Sequence, residues 1–125
     1  MCVINLYTTT RKSFVEISIL SDKEHARLWD EVDSEFAYSW FASLASALNN
    51  EISLGVEAEK YKELFNFFSV QYEAGSNDVK NCIDASFIEN LFWHVLPRRN
   101  IKPYWTLLPK NLKELYTRFH GKAPF

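Results

Sequence analysis

The sequence predicts a mainly α-helical protein, a single-domain bundle of about five helices around a central helix at 77–96. Three observations point that way. Apolar residues recur at helical spacing in three stretches: Phe36, Trp40, Phe41, Leu44 and Leu48; then Tyr61, Leu64, Phe65, Phe68 and Tyr72; then Leu112, Leu115, Tyr116 and Phe119. Residues that favour helix starts and stops punctuate these stretches. Glycine occurs only at 55, 75 and 121, between the stretches or after the last of them.

Residues 1–20 stand apart. Val15, Ile17 and Ile19 alternate with Glu16 and Ser18, and TTTRKS separates two apolar runs. A short β-hairpin is expected there, with an irregular arm or a helix as the alternative. SDKE at 21–24 has the form of a capping box, in which Ser21 accepts from the Glu24 amide and the Glu24 carboxylate reaches back. It opens a first helix from Asp22 to about Asp33. Ser34 caps a second helix that ends near Leu48, whose other side is largely Ala and Ser and suits close approach of another helix.

NNEISLG interrupts the pattern, and a third helix runs from Glu57 to Glu73, ended by Gly75 as a left-handed cap. Asn77 caps the central helix, Asp78 complements its positive end, and Pro97 stops it. Pro103 to Leu108 read as a single turn. Pro109 then suits the first position of a last helix that Gly121 terminates.

A chain of 125 residues can bury a core without metal or disulfide support. Its 16% aromatic content implies a bulky core or an adhesive face. The net charge of −2 argues against a general nucleic-acid binder. Residues 1–60 hold ten carboxylates against five Lys/Arg and residues 61–125 six against nine, so the first half is acidic and the second basic. The N-terminus lacks the features of a signal peptide, and no apolar run reaches the ~18 residues a membrane span needs. Cys2 and Cys82 form no framework. A cytoplasmic setting with no membrane association is the expectation.

The stretch NDVKNCIDASFIENLFWHVLP gathers a cysteine, carboxylates and a histidine, which raises the question of a chemical site. At about 100° per residue, with Val79 as zero, Asp84 falls near 140° and Glu89 near 280°, too divergent to share a proton or a metal. Asn90 and His94 fall on the apolar face with Ser86 one turn earlier, a polar ladder that reads first as a satisfied buried network. Cys82 reads as a small buried hydrophobe. His25 and His120 read as surface residues, and no metal-ligand spacing is present. Neither a phosphate-cradling glycine loop nor a nucleophile elbow occurs, so no enzyme activity and no cofactor is expected.

Two charged clusters remain. The acidic run Asp30, Glu31, Asp33 and Glu35 is the candidate dock for a basic protein partner, with charge steering association. Arg98, Arg99 and Lys102 beside Trp105 are the alternative, a basic loop that could hold a phosphate backbone with stacking.

Three blocks carry a resemblance: YSWFASLASAL (38–48), KYKELFNFFSVQYEAGSNDVKNCIDASFIENL (60–91) and LLPKNLKELYTRF (107–119). With the S-F-I-E-N-L ending at Ser86–Leu91, the chain resembles a family of small, mostly helical bacterial domains of unassigned activity. It is also similar in kind to the toxin-neutralising immunity proteins of contact-dependent inhibition systems. That resemblance implies a small cytoplasmic protein without catalytic residues, whose partner is a cognate toxin, commonly a nuclease. The leading expectation is therefore an immunity protein, and the alternative is a nucleic-acid or regulatory binding module using residues 98–105.

Overall fold

The structure, a computed structural model, describes residues 2–29 and 37–125. Among these every regular element is helical. The α-helices are α1 (Val3–Ser13), α2 (Val15–Trp29), α3 (Ala37–Ser53), α4 (Lys62–Ala74), α5 (Asn77–Asn81), α6 (Ile101–Leu107) and α7 (Lys110–His120). The count is seven rather than about five, and the N-terminal hairpin is replaced by two helices.

The physical reason for that replacement lies in which residues face inward. Ile17, Ser18, Ser21 and His25 are all buried and lie at helical spacing, whereas Val15 and Ile19 are exposed. The inward stripe is thus carried mainly by small and polar residues. The visible alternation of branched apolar residues is half solvent-facing. Ser21 is consequently no helix cap: it sits inside α2 with its hydroxyl donating to the Trp40 carbonyl at 3.4 Å. The first expected helix starts seven residues earlier than its capping box implied.

Small inward residues let α2 approach α3 closely, and among the described residues these two helices make the most extensive contact. His25 Nδ1 lies 3.0 Å from the Ser43 hydroxyl, and Glu24 accepts from Ser46 and Asn50 of α3. Asp22 accepts from Trp40 Nε1 at 2.8 Å and pairs with Arg11 of α1, tying three helices together. The imidazole of His25, expected at the surface, is completely shielded, and burial lowers its pKa.

The central element is α3, not 77–96. Trp40, Phe41, Leu44, Leu48 and Ile52 are fully buried along it, and Ala45 and Ala47 fill its flanks. It extends to Ser53, past the Leu48 end expected from sequence. Phe41, Phe68 of α4 and Phe87 form a chain of edge-on rings, with centroids 5.9 and 4.8 Å apart. Edge-to-face pairing of this kind adds to ordinary burial.

The expected helix at 77–96 ends at Asn90. Ser76 rather than Asn77 caps it, accepting from the Val79 amide. After Asn81 the chain widens into a π-helical segment, Cys82–Phe87, and tightens into a 3-10 turn at Ile88–Asn90. Neither keeps the 100° step of an α-helix, so the wheel drawn for this stretch loses its register after Asn81. The Ser86–Asn90–His94 ladder therefore breaks: Asn90 donates to the Ser86 carbonyl at 2.8 Å, while His94 lies exposed in the following loop.

Gly75 is not the left-handed cap expected of it, having φ −80°. Its requirement is steric: an added Cβ would lie 2.6 Å from both the Gln71 carbonyl and a Val79 methyl. Gly121 does take the left-handed conformation, at φ 81°, after α7. No helix among the described residues is long and apolar enough to cross a membrane.

Candidate binding site

Between Asn90 and α6 the backbone takes a course that sequence patterning gave no sign of. Leu91, Phe92 and Val95 turn inward, while Trp93, His94 and Leu96 turn outward. Phe92 and His94 both occupy the left-handed region, at φ 71° and 56°. For residues with side chains this conformation costs about 1–3 kcal/mol each and persists only when surroundings hold it.

The holding group is Asn49 of α3, only 8% exposed. Its amide nitrogen donates to the Asn90 carbonyl at 2.9 Å, and its amide oxygen accepts from the Phe92 amide at 2.7 Å. One side chain thereby satisfies a donor and an acceptor of the loop backbone, as a paired strand would. Further along, the Ser53 hydroxyl accepts from the Leu96 amide at 3.3 Å, and Asn100 donates to the Ile52 carbonyl at 3.0 Å. From beneath, the ring of Phe92 packs on Tyr116 at 5.6 Å and Trp105 at 6.4 Å.

The result is a ridge fixed from both sides and crowned by apolar groups. Trp93 is 63% exposed and Leu96 71% exposed. A cleft lies on each flank. One, of about 490 Å³, runs between the ridge and the C-terminal tail 121–125 and is walled by Trp93, Leu96, Arg98, Tyr116, Lys122 and Phe125. The other, of about 440 Å³, separates the ridge from the exposed side of α2 and α3, with Arg27, Leu28 and Asn50 on its far wall.

His94 borders both clefts. His120 borders the first, with its ring stacked on Tyr116 at 4.1 Å. Burial raises the Tyr116 phenol's pKa, against an opposing pull from Arg98. Burial likewise raises Glu89, helped by nearby Asp84 and opposed by His120.

The acidic run Asp30, Glu31, Asp33 and Glu35 lies outside the described residues. The basic set is not gathered onto one stacking surface. Arg98 donates to the Pro124 carbonyl and faces the first cleft, whereas Arg99 borders a separate shallow hollow beside Gly55 and Pro103. Lys102 is exposed on α6. Trp105 is half-buried, with Phe92, Tyr116 and Phe125 around its ring and the Lys113 ammonium 5.7 Å from its centre. Cys82 is completely buried, and its thiol is pushed up to about 12 by that burial. Among the described residues no group of three His, Cys, Asp or Glu side chains is placed to hold a metal ion.

The residues that sequence reading missed are Asn49, Trp93 and Leu96. From sequence, Trp93 falls within the helix expected at 77–96, and Asn49 in the break NNEISLG between helices. The one available signal was the pairing of two asparagines with an apolar run that ends in proline, which is weak without knowing that residues 49 and 90 meet.

Fold and site together define a small all-α protein with a braced aromatic ridge on its surface. The chain belongs to the family described as Domain of unknown function (DUF7674), whose model matches residues 9–121. No curated protein and no solved structure matches it.

Proposed function

We propose that this chain is a protein-binding module, most concretely an immunity protein that neutralises a cognate bacterial toxin by covering its active or substrate-binding surface. One observation carries the reading: Trp93 stands 63% exposed on a backbone held in a strained shape by the buried Asn49. A fold that keeps an indole in water while fixing its position has the two properties of a binding hot spot, apolar area and low ordering cost. Leu96 beside it and the clefts on either flank extend the contact surface. The carboxylates Asp30, Glu31, Asp33 and Glu35 would meet the basic surface of a nuclease and speed its encounter. A nucleic-acid module is less favoured, because the Trp105 ring that would stack on bases is engaged within the protein.

The test begins by determining whether a large secreted-toxin gene lies immediately upstream of this one, and takes the protein it encodes as the partner. Co-expression should restore growth to cells making that toxin, and calorimetry should give a tight complex. Trp93→Ala should weaken it by at least about 2 kcal/mol, roughly 30-fold in Kd. Charge reversal at Asp30, Glu31, Asp33 and Glu35 should slow association. Equal affinity of Trp93→Ala and the native chain removes the ridge from the interface, and absence of growth rescue removes the immunity role.

A further inference from the structure

We infer that the cleft between the ridge and the C-terminal tail receives a carboxylate-rich segment of the partner, one that also carries an aromatic or aliphatic side chain. The inference rests on the protein-binding reading and adds the chemistry that is recognised.

Charge complementarity is the first ground. The chain as a whole is acidic, at −2, yet the described residues lining this cleft include the cations Arg98 and Lys122, with the imidazoles of His94 and His120 beside them, and no Asp or Glu side chain. Arg98 is positioned by the carbonyl of Pro124, a neutral acceptor, which fixes its guanidinium without neutralising it. Neither Arg98 nor Lys122 has a salt-bridge partner among the described residues, a state they share with Lys12, Lys23, Lys62, Lys80, Arg99, Lys102 and Lys113; what sets them apart is that both line one cleft. Glu89, whose pKa burial raises against an opposing pull from His120, lies outside the lining. A planar guanidinium with open donors, bordering the cleft, suits a carboxylate.

The second ground is the shape of the apolar rim. Trp93, Leu96 and Phe125 are 63%, 71% and 60% exposed along the borders of the cleft. Apolar surface of that extent lies beyond the reach of a small anion inside the cleft but in contact with a chain segment laid along it. Such a segment would bury its apolar side chain between Trp93 and Phe125 and set its carboxylates against Arg98 and Lys122.

The probe is a fluorescein-labelled decapeptide of alternating Glu and Phe, followed by anisotropy and by amide shifts in NMR spectra. A Glu/Ser and a Lys/Phe peptide serve as comparisons. The Glu/Phe peptide should bind with shifts concentrated in residues 91–98 and 121–125, and weaken markedly between about 50 and 500 mM salt. Lys122→Glu, an exposed site, should weaken it at least tenfold, while Lys110→Glu on α7 should leave it unchanged. Equal binding of the Lys/Phe peptide, indifference to Lys122→Glu, or shifts elsewhere would overturn the inference. So would stronger competition by a single-stranded oligonucleotide, which would assign the cleft to phosphate. With the toxin partner the two readings separate. A complex sensitive to Trp93→Ala but not to Lys122→Glu keeps the first and removes the second, and insensitivity to both removes both.

Discussion

Replacing Asn49 by alanine removes both hydrogen bonds that hold the loop backbone, to the Asn90 carbonyl and from the Phe92 amide. Each such bond contributes about 0.5–1.5 kcal/mol net, and a buried donor left unpaired costs about 1–3 kcal/mol. Phe92 is only 1% exposed, so water does not readily replace the lost acceptor in the native shape. Release of the left-handed strain at Phe92 offsets part of the loss if the loop rearranges. The expected net loss is about 2–4 kcal/mol. In urea unfolding, with a slope of about 1–3 kcal/mol per molar for a chain of this size, the midpoint should fall by roughly 1–3 M. Ser53→Ala is the matched control. It removes one longer bond at an exposed site, 3.3 Å to the Leu96 amide, and should cost less than about 1 kcal/mol. A loss for Asn49→Ala no greater than that for Ser53→Ala, with tryptophan emission unchanged, would refute the bracing role of Asn49.

Four further outcomes follow from the same structure. Burial lowers the pKa of His25, opposed by nearby Asp22, so the folded state holds the imidazole neutral while the unfolded chain takes up a proton below about 6.5. Stability should therefore be full above that pH and fall as the solution is acidified through it; chemical unfolding between pH 5 and 7.5 should show a slope that His25→Gln flattens. Gly75→Ala should destabilise by about 1–3 kcal/mol in thermal or urea unfolding, through collision with Gln71 and Val79 rather than through backbone angle. Gly121→Ala should cost about 1 kcal/mol for its positive φ alone, since nothing lies within reach of the added methyl. Of the two cysteines, Cys2 is exposed and Cys82 is buried with a thiol pushed up to about 12. A thiol-reactive dye at pH 8 should label one site in the native protein and the second only in denaturant.

What the sequence by itself determined was the helical class and the elements whose apolar stripes are both regular and inward-facing. Leu64, Phe65 and Phe68 on α4, and Leu112, Leu115 and Tyr116 on α7, lie buried at the spacing their positions announce. Gly121 ends α7 in the conformation that only glycine adopts freely. These features are local, fixed by periodicity and backbone sterics within a few residues.

Tertiary structure decided the rest. Whether Val15, Ile17 and Ile19 formed a strand or a helix turned on Ser21 and His25 being drawn against α3 and Ser18 against α1, contacts that no short window contains. The binding ridge is the stronger case. Phe92 and His94 have no local reason to take left-handed angles, and Trp93 has none to face water. Asn49, lying 41 and 43 residues away from the two groups it bonds, imposes the turn. A backbone conformation stabilised by a distant side chain leaves no periodicity in the segment it bends. The site therefore became visible only once residues 49 and 90–92 were in contact.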